Sequence, residues 1–117
     1  MYNNPMYQNI AESYWFEYSK IWPVLLSHRC PTIVINNRLS ATAGVNYSEK
    51  NIVHLSGKFL VNNREEMLKV TLPHELAHQI DFILNGWKRG ARHHRASWKA
   101  VMIKIGLPPE LYHKMVL

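Results

Sequence analysis

Leu72-Pro73-His74-Glu75-Leu76-Ala77-His78-Gln79-Ile80 is the stretch on which the architecture of this chain turns. Residues four apart share one face of an α-helix, so His74 and His78 can hold one Zn²⁺ between them. Glu75 lies beside that face, where a carboxylate can accept a proton from an activated water. Leu68, Leu72, Leu76, Ile80 and Ile83 form the apolar stripe such a helix needs, and Gly86 is a natural stop. Asn63 reads as the N-cap, with Glu66 three residues on completing a capping box. Pro73 cannot donate a backbone hydrogen bond to Lys69. Either one helix bends there, or the helix starts near Thr71 with Pro73 in its first turn. One bent helix is the favoured reading.

Working outward, residues 7–29 read as a helix with Ile10, Tyr14, Ile21 and Leu25 on one stripe, bent or ended early by Pro23. Tyr14-Trp15-Phe16 reads as core rather than as a platform for stacked bases. Pro31–Asn36 is a β-branched run that reads as a strand. Residues 41–48 and 51–55 read as two more, paired antiparallel across the Glu49-Lys50 turn, because so short a link cannot make a parallel crossover. Residues 94–105 read as a last helix with Trp98, Val101, Met102 and Ile105 inward, ended by Gly106 and Pro108-Pro109.

The 117 residues suffice for one domain, read here as residues 1–117. No apolar run is long enough to span a bilayer, and Met1–Pro5 does not read as the start of a signal peptide. The single cysteine, Cys30, excludes an internal disulfide and a cysteine-based zinc ribbon, and it fits a reducing, cytoplasmic setting. Lys and Arg outnumber Asp and Glu by 14 to 8, a net charge of +6 that suits a polyanionic partner. Lys88, Arg89, Arg92, Arg95, Lys99 and Lys104 follow the histidine pair with no acid between Asp81 and Glu110. Phosphate could lie along that stretch, and no base-reading motif accompanies it, so little sequence preference is expected.

A catalytic zinc takes three protein ligands and keeps one position open. The metzincin pattern would require glycine and histidine where Asp81 and Leu84 stand, so that class is excluded. Glu110 follows two prolines in no evident helix. His93, His94 and His113 remain as candidates. Asp81 reads as an exposed helix acid, although it could orient a ligand histidine. Gln79 reads as capping or solvent-facing. His54 reads as a half-buried strand residue, His28 and Cys30 as structural, and Trp87 as packing. Tyr112 and His113 are the candidates for a second group stabilising an oxyanion.

His74-Glu75-Leu76-Ala77-His78-Gln79 followed by Gly90-Ala91-Arg92-His93-His94-Arg95-Ala96-Ser97-Trp98-Lys99 resembles the SprT family of zinc metallopeptidases, which includes the Spartan-type DNA–protein crosslink proteases. In that family the helical motif is followed by a short loop and a histidine, with an aromatic residue four positions later. Trp98 stands four positions after His94. Arg38…Gly44 followed by Ile52-Val53-His54-Leu55-Ser56 is similar to the strand pair before the family's active-site helix. The resemblance covers roughly residues 30–105. It implies one Zn²⁺ held by His74, His78 and His94, with Glu75 as general base. His93 and Arg95 stand where the family has flanking glycines, which keeps His93 as the alternative ligand.

The implied fold is α+β, a minimal zincin-like domain with a small three-stranded, mostly antiparallel sheet and about three helices. The implied activity is proteolysis of DNA-associated or DNA-crosslinked proteins, with DNA as partner and Lys88, Arg89, Arg92, Arg95 and Lys99 as its contacts. The expected form is a stand-alone protease core without zinc ribbon or long tail. Two other classes fit less well: a non-catalytic DNA-binding module on a zincin scaffold, which would not need Glu75, and a zinc hydrolase indifferent to DNA.

Overall fold

The computed structural model describes residues 1–86, 96–109 and 115. In chain order these form β1 (Tyr2–Asn3), α1 (Pro5–Ser19), β2 (Thr32–Asn36), β3 (Gly44–Tyr47), β4 (Ile52–Ser56), α2 (Gly57–Glu66), α3 (Leu72–Asn85) and α4 (Ala96–Lys104). Among the described residues, no helix is long and apolar enough to cross a membrane.

The α+β architecture holds, with two differences in the sheet. It has four strands rather than three, in the order β1-β2-β4-β3. The extra strand is the two-residue β1, antiparallel to β2 through Tyr2↔Ile35 and Asn3↔Val34. The expected hairpin forms, with Val45 opposite His54 and Asn46 opposite Val53. It folds back with β4 on the inside, so β2 and β4 pair in parallel, Ile33 beside Val53 and Ile35 beside Leu55. The sheet is therefore mixed, and β3 is left on an edge. Asn51 closes the hairpin turn in the left-handed region at φ 56°, which asparagine tolerates.

Alternation along β2 and β4 sends Ile33, Ile35, Val53 and Leu55 into the core, all fully buried. Leu72, Leu76 and Ile80 of α3, Ala11 and Trp15 of α1, and Trp98 and Met102 of α4 complete it. Trp15 is anchored through its indole N–H, which donates to the carbonyls of Leu25 and His28. Tyr14 is half-buried and Phe16 is exposed, so only part of that aromatic cluster is core. The His28 side chain is exposed, whereas Cys30 is buried as expected.

The first helix ends at Ser19, short of the expected residue 29. Pro23 disfavours helical geometry at Trp22, which adopts φ −124° and ψ 90°, and a short 3₁₀ turn, Pro23–Ser27, follows. The central helix departs from expectation in the other direction. Helical winding begins at Gly57, capped by Ser56, whose hydroxyl accepts from the Phe59 N–H at 3.3 Å. Asn63 marks a kink within α2 (φ −136°, ψ 35°) rather than its start.

Pro73 produces a bend of a specific kind. Met67–Thr71 winds as a π-turn, in which the Leu72 N–H bonds back to the Met67 carbonyl. The Leu68 carbonyl then loses its α-helical donor, Leu72, to that bond. The wider-wound alternative would be residue 73, which has no N–H. Tyr14 of α1 supplies the missing donor, its hydroxyl lying 2.8 Å from the Leu68 oxygen. Helix α3 ends at Gly86, where φ is +72° and a side chain would be strained.

Tyr14→Phe should leave the Leu68 carbonyl without this partner. The expected loss is about 1 kcal/mol, read as a lower urea midpoint with unchanged slope; an unchanged midpoint would mean that water replaces the hydroxyl without cost.

Candidate metal centre

Helix α3 presents two pairs of residues, each four apart. His74 and His78 form one, and Glu75 and Gln79 form the other, rotated by one residue toward β3. His74 and His78 are half-buried, with ring centroids 5.1 Å apart. One ligand atom from each of His74, Glu75 and His78 lies within 4.8 Å of the others. This group could hold a metal ion. Two neutral imidazoles beside a buried carboxylate suit a divalent cation chemically, because the cation would compensate a charge that water cannot reach.

Trp98 of α4 covers the imidazoles from one side. Its indole stacks on His78 at 4.9 Å with planes 13° apart, and lies 4.7 Å from the His74 ring. The indole N–H also donates to the His74 carbonyl at 3.4 Å. The expected inward positions of α4 are met: Trp98, Val101 and Met102 are buried and Ile105 is partly so. Two C-terminal bonds close the helix, from Gly106 N–H to the Ile103 carbonyl and from Leu107 N–H to the Met102 carbonyl.

Glu75 is packed against β3, where Gly44 is what permits the approach. A Cβ at Gly44 would lie 3.1 Å from the Glu75 Cγ and 3.3 Å from the His54 carbonyl. Burial pushes the Glu75 carboxyl up to about 8, offset in part by a hydrogen bond donated from the Asn46 backbone N–H.

Two residues of α3 contradict their sequence reading. Gln79 faces neither cap nor solvent: it is buried, accepts from the Asn46 side-chain amide at 2.9 Å, and donates to the Ser48 carbonyl at 3.2 Å. Asp81 is buried rather than exposed, and accepts from the Asn85 amide at 2.8 Å. His54 matches its structural reading. Its Nδ1 lies 3.1 Å from the Asn36 amide, its ring meets Tyr47 edge-on at 5.0 Å, and burial lowers its pKa.

Lys99 is exposed on α4, one residue from the indole that covers the histidines. Trp87, Lys88, Arg89, Arg92, His93, His94, Arg95, Glu110, Tyr112 and His113 lie outside the described residues. The structure thus brings together His74, Glu75 and His78. The sequence reading missed Asn46, Gln79 and Gly44, whose signal was only that Gln79 repeats Glu75 one helical turn on.

The raised Glu75 carboxyl has a consequence for the metal-free fold. An unfolded chain ionises Glu75 near 4.5, whereas the folded chain keeps its proton up to about 8. Between those values the unfolded state binds fewer protons, so stability falls as pH rises. Glu75→Gln removes this slope. Metal-free Glu75→Gln should match the metal-free parent near pH 4 and exceed it at pH 8 by roughly 3–5 kcal/mol. Equal unfolding midpoints at pH 8 would show that the folded carboxylate is not penalised.

The SprT-like family model matches residues 4–113. Protein SprT of Actinobacillus succinogenes is 38% identical over 73 residues, covering 62% of this chain and 41% of that protein. Protein SprT of Klebsiella pneumoniae is 33% identical over 90 residues, 74% of this chain and 51% of its own. Protein SprT of Pseudomonas paraeruginosa is 34% identical over 84 residues, 71% of this chain and 49% of its own. The chain spans about half the length of these curated relatives. No solved structure matches it. With nearly its whole length covered by the family model, and with the His74-Glu75-His78 group on its central helix, the chain belongs to the SprT-like family.

Proposed function

We propose that this chain is a zinc-dependent endopeptidase that acts on DNA-associated or DNA-crosslinked proteins inside the cell. The observation that carries the proposal is a buried Glu75 beside two convergent imidazoles on a helix of an SprT-like domain. A purely DNA-binding role does not need a carboxyl group buried beside the two imidazoles.

His74 and His78 would bind the metal, with His94 as the third ligand and His93 as its alternative. Connectivity favours a ligand from this stretch: Trp98 packs on both imidazoles, and the four residues back to His94 span at most about 14 Å. The bound zinc would polarise both a water molecule and the scissile carbonyl. Glu75 would serve as the base for a water activated there and as the acid for the departing amine. Burial alone raises this carboxyl, and the charge of a bound cation would favour its ionised form, the form able to accept the water's proton. Glu75 is oriented for both by the Asn46 N–H.

The DNA context rests on charge. The surplus of +6 and the run Lys88, Arg89, Arg92, Arg95 and Lys99 suit phosphate. Exposed Lys99 sits beside the residue that packs on the imidazoles, which would put a bound strand next to the cleft.

The deciding measurement pairs metal content with cleavage of a DNA-binding protein, with and without DNA, for the parent and Glu75→Gln. One zinc per chain and DNA-dependent cleavage that Glu75→Gln abolishes are expected. One zinc with DNA binding but no Glu75-dependent cleavage would leave a binding module. Absence of zinc after refolding with metal would overturn the ligand assignment. Arg89→Glu combined with Arg92→Glu should weaken DNA binding and flatten its salt dependence by about two charges; unchanged affinity at low salt would remove these residues from the interface.

A further inference from the structure

Edge strands carry unpaired backbone groups on every second residue. In β3, the Ala43 carbonyl accepts from the Ser56 N–H at 2.8 Å, so Ala43, Val45 and Tyr47 are the residues that bond toward β4. Gly44 and Asn46 therefore direct their backbone groups to the free edge. The Asn46 N–H is used there, donating to the Glu75 carboxylate. Among the described strands β3 pairs only with β4; a strand so held can shift or fray, and a slip of one residue would replace Asn46 by a residue of opposite orientation.

A closed set of side-chain bonds opposes that slip. The Asn46 amide donates to Gln79 Oε1 at 2.9 Å. Gln79 Nε2 donates to the Ser48 carbonyl at 3.2 Å. The Ser48 hydroxyl donates to Asn46 Oδ1 at 2.6 Å. Gln79 is buried and lies one helical turn beyond Glu75, so the same helix face that carries the carboxylate also grips the strand that orients it.

We propose that Gln79 is a positioning residue for Glu75: by clamping Asn46 of β3 and Ser48, the residue just after that strand, to α3, it keeps the Asn46 N–H aimed at the carboxylate. The inference rests on the peptidase reading for its catalytic consequence, but the clamp itself does not depend on metal or substrate. Gln79 needs no contact with substrate to act in this way.

Gln79→Met keeps the volume and removes both hydrogen bonds. Amide hydrogen exchange, followed by NMR on the metal-free chain, reads the clamp directly. The Asn46 amide should exchange about tenfold faster or more in Gln79→Met, as expected when one hydrogen bond of ordinary strength no longer holds it. Val53 and Leu55 amides, inside the sheet, should be unchanged. Ser48→Ala, which removes one bond of the set, should act in the same direction and more weakly. In the zinc-loaded chain, Gln79→Met should lower kcat by about tenfold with KM within about twofold of the parent and one zinc retained.

Unchanged Asn46 exchange would overturn the clamp. Faster exchange with unchanged kcat would show that the clamp exists and does not position the base, which also overturns the proposal. A parent that shows no Glu75-dependent hydrolysis would defeat the peptidase reading instead, and exchange would still decide the clamp. If Gln79→Met does not fold, Ser48→Ala carries the same comparison.

Discussion

Proline at position 73 lacks a backbone donor, and the geometry of the centre is arranged around that deficit. The chain answers it with a π-turn over Met67–Thr71 and a hydroxyl from α1 on the Leu68 carbonyl. An extra residue in a helical turn rotates everything that follows by roughly 100°. The faces of α3 are set by that rotation. One face carries His74 and His78 toward the indole of α4, and the next carries Glu75 and Gln79 toward β3. Without the rotation the same residues would remain four apart and would meet different neighbours. Spacing on a helix makes a ligand pair; phase makes it a site.

The carboxylate is where opposing terms meet. Burial raises its pKa, and the Asn46 N–H lowers it, with burial the larger effect. Gly44 sets how close the strand can come, because a methyl group there would press on both the Glu75 side chain and the His54 carbonyl. His54, on the strand behind, is held by Asn36 and Tyr47 and serves the sheet. The functional groups on α3 are thus backed by a mixed sheet whose strands are fixed in register by buried Ile33, Ile35, Val53 and Leu55.

What was legible in the sequence was local. The i, i+4 histidines, the apolar stripe of α3, its glycine stop and the inward face of α4 all follow from periodicity and end signals, and the structure has them. The hairpin of β3 and β4 was legible for the same reason. The parallel pairing of β2 with β4 was not, because adjacency in sequence favours β2 beside β3, and nothing in a five-residue apolar run says which neighbour it takes. Two-residue β1 is too short for any pattern. Gln79 and Asp81 were misread because a polar residue on an amphipathic helix is solvent-facing by default. For Gln79 the partner is Asn46, distant in sequence and invisible to any local pattern. The start of α2 was missed because Asn62-Asn63 signals a break more strongly than Ser56-Gly57 signals a cap, and the chain has both.

Trp98 bears on how such a centre can be stable before it binds anything. Small zinc modules fold around their metal because they lack a core of their own. Here the core stands on Ile33, Ile35, Val53, Leu55, Leu72, Leu76 and Ile80, none of which could ligate a metal. The indole lies against both imidazoles and bonds to the carbonyl of His74, so the rings are restricted by packing. Side-chain entropy that a flexible site would lose on binding is therefore lost during folding instead, offset by the burial of the indole. A ligand pair ordered in this way has little left to rearrange. The part of the fold that would set the affinity for a metal then includes α4, which meets α3 through the stacked Trp98 indole and its long hydrogen bond to the His74 carbonyl.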